Sequence, residues 1–423
     1  MTRSDGAAPA ETGAAEGTGP RAGRGLTAPI LLSVGALAML GPLSTDVFLP
    51  ALPTIAEEFA TTSERVQFSL TATTVGLAIG QLFSGPLSDA IGRRRPLLVG
   101  SAAMTLFSVA CAAAPELWLL IAACFLMGLG ASTGGTVGRA VVSDVAVGTE
   151  ITRGFALLGT LMSLGPVIAP VVGVLLMIPW GWRGIFIGLA AVSALIFAAL
   201  AAFVPESLPP ARRVRGGVSA VPRSVSAAAR SRAFWCGAIS VWAAFAASFS
   251  YIAGSSYVLQ LGLGFSSAAY AVTFAVNGVG LMAVGLLAAR LSRRWNDHAL
   301  VGFGLVVLSI GAALVAVAGL TGRLSPWLIL PGFFCLAAAC GLYIGPALSV
   351  AVQGLRHIAG TVLALVGAIQ FVVAGLVSPI SALGGGTDLT AMAALVVGGS
   401  AVAWAGWFLL RPRAERLEGA PRR

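Results

Sequence analysis

Asp46, in the stretch GPLSTDVFLPALP, is the only Asp, Glu, Lys or Arg inside any of the long apolar runs of this 423-residue chain. A carboxylate within a membrane span costs about 2.5–3.5 kcal/mol on insertion scales, so such a residue is read as functional. The plain alternative is a helix end solvated at the water interface. A carboxyl screened from bulk water can take up and release a proton near neutral pH, which coupling to a proton gradient requires. One proton falling through about 100 mV supplies about 2.3 kcal/mol, enough to hold a solute gradient of about 50-fold. The same carboxyl can bind a cationic or hydroxyl-bearing substrate, and the two roles then compete for it.

Neutral polar side chains recur in the apolar runs: Gln67, Thr71 and Thr74 in the second, Tyr251, Ser255, Ser256 and Tyr257 in the seventh, Asn277 in the eighth, Tyr343 in the tenth and Gln370 in the eleventh. Polar groups in apolar surroundings need partners. Each of these residues alone is as well explained by an interhelical hydrogen bond. Together with Asp46, the set Gln67, Thr71, Tyr251, Ser255, Tyr257, Asn277, Tyr343 and Gln370 reads as a mostly apolar substrate pocket with scattered polar anchors.

Two further stretches stand out. GQLFSGPLSDAIGRRRPLL, from Gly80 to Leu98, is a charged hairpin between two apolar runs. It is expected to form a cytoplasmic gate with Gly85, Asp89, Gly92, Arg93, Arg94, Arg139 and Asp144. Asp89 would pair with Arg93 or Arg139, or sit at the N-terminus of the eleventh helix, where the dipole favours negative charge. Such contacts would hold two halves of the protein together. The fifth run, LLGTLMSLGPVIAPVVGVLL, carries Gly165, Pro166, Pro170 and Gly173. Small residues permit close helix approach and prolines remove hydrogen bonds, which predicts a bent, tightly packed hinge.

The elements that must position these residues are membrane helices. The chain is 57% hydrophobic and 10% charged, whereas soluble domains carry about 25% charge. Twelve runs of roughly spanning length, about 20 residues each, cover 26–49, 66–87, 96–114, 117–137, 154–178, 184–204, 233–259, 265–289, 299–320, 326–352, 358–383 and 389–410. Residues 1–25 read as a disordered tail without the pattern of a secretory signal. The polar stretch 205–232 links a first half, 26–204, to a second, 233–410, and 411–423 is a second tail. GPLSDAIGRRRPLLVG at 85–100 has a degenerate counterpart in GLLAARLSRRWNDHALVG at 285–302, as expected for parallel repeats.

All 26 basic residues are Arg. With the N-terminus inside, only Arg65, Arg183 and Arg323 fall in external loops, which satisfies the positive-inside rule and places both termini in the cytoplasm of a bacterial inner membrane. The net charge of +10 is therefore a topology signal, not a nucleic-acid footprint. Cys111, Cys124, Cys236, Cys335 and Cys340 lack metal or redox spacing and read as small buried residues. His298 and His357 stand at loop edges. No paired carboxylates, nucleophile elbow or phosphate loop is present, so no enzyme activity, cofactor or metal is expected.

These residues resemble the major facilitator superfamily, and within it the drug:proton antiporters of the bicyclomycin and chloramphenicol resistance (Bcr/CflA) type. Gly85, Asp89, Gly92, Arg93 and Arg94 are similar to the superfamily's loop signature, with Ala90 where a basic residue is common. GPVIAP with Gly173 resembles the antiporter motif, and TDVFLPALPTIAEEF, SFSYIAGSSYVLQ and AGTVLALVGAIQF extend the likeness over about residues 27–410. The resemblance implies an all-α fold of 12 transmembrane helices in two six-helix halves. It implies a monomeric exporter of small amphiphiles, working by alternating access in exchange for protons. An uptake symporter for a small metabolite and a self-resistance exporter of one natural product are the alternatives. Cys124 and Met127 stand where the family usually has Arg and Gln in helix four, which places more of any proton coupling on Asp46.

Overall fold

The computed structural model of the chain describes residues 27–146, 149–213, 225–322, 324–355 and 358–410. The tails expected at 1–25 and 411–423, residues 214–224 of the linker, Arg323 and His357 lie outside the described residues.

Among the described residues, these helices carry the architecture. They are α1 (Ala28–Asp46), α2 (Leu52–Glu58), α3 (Ser63–Ile91), α4 (Arg94–Ala112), α5 (Leu117–Val145), α6 (Thr149–Phe203), α7 (Arg232–Tyr257), α8 (Ser267–Leu291), α9 (Asp297–Thr321), α10 (Pro326–Ala351), α11 (Ala359–Ser381) and α12 (Thr390–Leu410), with α6 counted as two arms. α6 breaks at Trp180 and Gly181, where the backbone angles leave the helical region, giving arms 149–179 and 182–203. Pro166 and Pro170 lie inside the first arm, and the break between the arms falls further on, where Gly181 takes φ +59°. The first apolar run also ends early. α1 stops at Asp46, and a 3₁₀ turn (Leu49–Ala51) and α2 follow.

Short polar caps start several helices. Ser231, Ser266 and Asn296 accept hydrogen bonds from the backbone amides of Phe234, Ala269 and Ala299, meeting donors that a helix start leaves unpaired. The helices otherwise follow from the absence of water: in hydrocarbon every backbone polar group must be satisfied within its own segment. The start of α1 and the end of α12 lie on one face, the terminal face, and the opposite face is called distal. Exposed tryptophans mark the two membrane boundaries: Trp118, Trp180 and Trp327 at distal helix ends, Trp235 and Trp295 at terminal ones.

Packing repeats between the halves. In the first half, α3 and α4 pack on α5, α1 packs on α5 and α6, and α4 packs on α6; in the second, α8 and α9 pack on α10, α7 packs on α10 and α11, and α9 packs on α12. The halves meet where α3 lies against α11 and α6 against α8. Each contact joins the second helix of one half to the fifth of the other, as a two-fold axis along the membrane normal requires. Small residues permit the close approaches within the first half, where Gly128 faces the backbone of α3, Gly130 that of α4 and Gly134 that of α1.

Candidate functional site

Asp46 ends α1 and is 6% exposed. The residues after it, Val47 to Leu52, are buried as well, so the helix end is covered and not solvated. The Thr45 hydroxyl donates to Oδ1 of Asp46 at 2.9 Å and to the Pro42 carbonyl at 2.7 Å. No other hydrogen bond to the carboxyl is found among the described residues. A buried carboxylate needs several donors, so a proton or a ligand's ammonium or hydroxyl has a place to bind there.

Just past Asp46 the 3₁₀ turn Leu49–Ala51 packs on α7 and α8 of the other half, the helices that carry Tyr251 and Tyr270. Asn277 Nδ2 donates to the Tyr251 hydroxyl at 3.1 Å, and the Tyr251 ring packs on Phe274 and Phe333 with centroids 6.0 and 4.8 Å away. The hydroxyls of Ser255 and Tyr270 are 3.3 Å apart. The structure thus gathers Tyr251, Ser255 and Asn277 into one cluster on α7 and α8, the helices that meet the turn after Asp46. Tyr270 was missed in the sequence. Its signal is the spacing Tyr270, Phe274, Asn277, which places all three on one face of α8.

Other residues of the expected pocket serve different contacts. Gln67 on α3 donates to the Ala253 carbonyl at 2.6 Å and accepts from the Ser378 hydroxyl at 2.6 Å. Thr71 donates to the Gly375 carbonyl at 2.8 Å, Tyr257 to the Ser63 carbonyl at 3.3 Å and Gln260 to the Pro50 carbonyl at 3.0 Å. All five bonds cross between the halves and all lie toward the distal face. They are the only hydrogen bonds between the halves found among the described residues. In this conformation Gln67, Thr71 and Tyr257 form a distal seal. Tyr343 is separate: its hydroxyl is 3.4 Å from Cys340 Sγ, inside the second half. Gln370 is half-buried and makes no hydrogen bond among the described residues.

Helix packing sets the position of Asp46. Gly165 of α6 approaches Met39 and Pro42 of α1, and Gly173 abuts Val47 and Pro50 just past Asp46. Pro170 is buried and Pro166 half-buried beside them. Val167, between the two prolines, packs on Gly278 of α8, next to Asn277.

The hairpin lies at the terminal face. Arg93 bonds Asp89 at 2.5 Å, Asp144 at 3.0 Å and the Ser88 hydroxyl at 2.7 Å. Burial works to lower the Arg93 pKa, but hydrogen bonds and charge from Asp144 and Asp89 outweigh it and hold the guanidinium above its ordinary value. The Arg93 amide donates to Glu206 at 2.8 Å, and Arg94 donates to the carbonyls of Val204 and Ala201 at 3.0 and 2.8 Å. Gly92 takes φ +100°, and a side chain there would strike the Glu206 carboxylate. Gly85 borders open space, and its carbonyl accepts from the Ser88 hydroxyl at 2.7 Å.

Each of these partners belongs to the first half or, for Glu206, to the start of the linker that follows it, so the expected latch between halves is not made in this conformation. Asp89 turns to Arg93, one turn away on the same chain, and not to α11. Arg139 lies within α5, which runs on to Val145, and is exposed; its guanidinium is 3.7 Å from Met162 Sδ. Cys124 and Met127 are fully buried, and Cys124 Sγ lies 3.7 Å from Cys111 Sγ of α4. The position where the family usually carries Arg therefore faces the neighbouring helix α4.

Residues 34–379 match the sequence profile described as Major Facilitator Superfamily. The chain is 32% identical over 350 residues to the uncharacterized MFS-type transporter YdgK of Bacillus subtilis (strain 168), covering 82% of this chain and 87% of that protein. It is 25% identical to Multidrug resistance protein D of Escherichia coli (strain K12), covering 84% and 88% of the two chains. It is 27% identical to the Chloramphenicol resistance protein of Pseudomonas aeruginosa, covering 80% of each. Among solved structures, the fold matches the partially occluded inward open conformation of the xylose transporter XylE from E. coli with TM-score 0.69 and 15% identity, over 92% of this chain and 98% of that one.

Proposed function

The chain belongs to the Major Facilitator Superfamily, to its Bcr/CflA-type drug:proton antiporter branch, and from that premise we propose that it exports small amphiphilic compounds, such as chloramphenicol- or bicyclomycin-like drugs, in exchange for protons. It is a multi-pass membrane transporter acting on small molecules, and not an enzyme. The observation that carries the proposal is Asp46, a buried carboxyl with a single donor, at the end of α1 where the next turn, Leu49–Ala51, packs on α7 and α8 of the other half.

In the proposed cycle the distal seal faces the cell exterior and the terminal face, with its arginines, lies in the cytoplasm, both termini included. With the seal closed, substrate enters from the cytoplasm or inner leaflet and settles near Asp46, Tyr251, Ser255, Asn277, Tyr343 and Gln370. Substrate and proton compete for the one carboxyl, so binding of one favours release of the other. The two halves, 26–204 and 233–410, then rock as units. The Gly165, Pro166, Pro170 and Gly173 stripe forms the bearing surface, and the hairpin charges keep the first half rigid on the cytoplasmic side. The protein works as a monomer in the bacterial inner membrane, because alternating access needs only its two halves.

Relatives named for multidrug, chloramphenicol and bicyclomycin resistance support export as the direction. The test uses proteoliposomes with the protein in one orientation and radiolabelled chloramphenicol. Acid on the distal side should drive the drug out of the terminal compartment against its gradient. Accumulation on the terminal side would instead establish uptake by symport, and no movement in either direction would sink both transport readings.

A further inference from the structure

On the distal face, the turn between α2 and α3 and the start of α5 line an open cavity of about 640 Å³. Its walls include Arg65, Glu116, Phe68, Trp118 and Ile121, and none of its lining residues belongs to the Asp46 cluster or to the distal seal. Arg65, near the start of α3, is exposed and its side chain has no partner among the described residues. Glu116, just before α5, accepts one hydrogen bond from Trp118 Nε1 at 2.5 Å through Oε2, and its Oε1 is free among the described residues. A cation and an anion therefore line one cavity without forming an ion pair with each other.

The setting is the boundary between bilayer and water. Trp118 is 62% exposed at the end of a membrane helix, and Phe68 is 47% exposed one turn into another. A third charged wall residue, Glu58, is already held by Arg183 and by Trp182 Nε1, Thr61 adds a hydroxyl, and the rest of the wall is apolar, continuing from Leu117 to Ile121 along α5. The shape and charge match a molecule with an anionic group, a cationic group and an apolar tail.

We propose that this cavity binds the headgroup of a phospholipid carrying a primary ammonium, a phosphatidylethanolamine of the distal leaflet. Its phosphate lies on Arg65, whose guanidinium can grip two phosphate oxygens. Its ammonium donates to Glu116 and sits against the Trp118 ring. One acyl chain follows Phe68 and Ile121 into the bilayer. The carboxylate selects an ammonium with N–H groups over choline, which has none to donate, and the two charges select a zwitterion over a purely anionic lipid. Bound there, the lipid bridges α3 and α5 beside Gln67 and so favours the closed distal seal.

The test is native mass spectrometry of the full-length protein, delipidated in detergent and titrated with dioleoyl phosphatidylethanolamine, phosphatidylcholine or phosphatidylglycerol. One phosphatidylethanolamine should be retained at least about fivefold more tightly than either alternative, a preference of about 1 kcal/mol. Glu116→Gln should erase the preference over phosphatidylcholine. Arg65→Gln should weaken binding of both zwitterionic lipids. Thermal melting of each variant in the same detergent confirms that it is folded, and both residues are exposed and far from the helix cores. Equal retention of all three lipids, preference for phosphatidylglycerol, or unchanged selectivity in both variants would overturn the proposal. None of these readings depends on transport, so it and the proposed export activity can fail separately.

Discussion

The hairpins at 85–100 and 285–302 are repeats of one sequence pattern, yet they do different work. In the first, Arg93 is clasped by Asp89, Asp144 and Ser88, while its backbone and the next arginine are tied to the end of α6. In the second, the position equivalent to Asp89 is Ala289, and Arg290, Arg293 and Arg294 are exposed, with no ion pair among the described residues. Arginine alone sets topology; arginine enclosed by carboxylates also locks helices together. Asp46 extends the lesson. It is charged chemistry with too few partners, and a group left short of partners is one that can exchange them.

If function follows the under-partnered charge, the largest effect falls on Asp46. Asp46→Asn should collapse the drug gradient supported by an imposed proton gradient from about 50-fold to none, while drug exchange without a gradient persists. Retention of gradient-driven transport at matched protein levels would move the coupling site elsewhere.

Next in size is the clasp. Arg93→Ala leaves Asp89 and Asp144 facing each other without their cation. It should cost about 2 kcal/mol, less than a fully buried pair because Asp89 is 46% exposed. A melting curve in detergent reads this directly, and an unchanged midpoint would reduce the first hairpin to the status of the second.

A smaller effect separates charge from neutral hydrogen bonding. Gln67→Leu removes two of the bonds that seal the distal face. At about 1 kcal/mol each, their loss should shift the population about 30-fold toward the distally open state, read as distance changes between spin labels on the two halves. A distance distribution identical to the parent would show that apolar packing, not these bonds, closes that face. The smallest effect is at the second hairpin, where Arg293→Ala should change the melting midpoint by no more than about 0.5 kcal/mol equivalent. A loss as large as that at Arg93 would erase the difference between the two repeats.

Much of the fold is legible in the sequence because a bilayer is a strict solvent. The apolar runs from 66–87 to 389–410 each correspond to a helix or a helix arm, and the repeat at an offset of about 200 residues foreshadows the two-fold packing of α3 on α11 and α8 on α6. The details that failed were local. Helix six follows helix five without a loop because Gly181 can take a positive φ, and α5 carries Arg139 and Asp144 past the apolar run because its 29 residues reach about 43 Å at 1.5 Å each.

The candidate site was legible in kind and not in arrangement. Gln67 and Gln370 look alike in the sequence, each an amide in an apolar run. Gln67 is buried with partners 186 and 311 residues away, whereas Gln370 is half-buried with none. Cys111 and Cys124 likewise read as unrelated small residues, and helix packing brings their sulfurs to 3.7 Å.

By itself the sequence determined which segments must cross the membrane and that Asp46 is their one carboxylate, because the cost of exposing backbone and charge to hydrocarbon depends on each segment alone. Only the tertiary structure decided that Asp46 is covered, that Tyr270 joins the cluster of Tyr251 and Ser255, that Gln67 closes the distal side and that Arg93 clasps the first half and leaves the second free. Those outcomes depend on which distant groups a side chain meets, and in a low-dielectric interior the identity of the partner sets the energy.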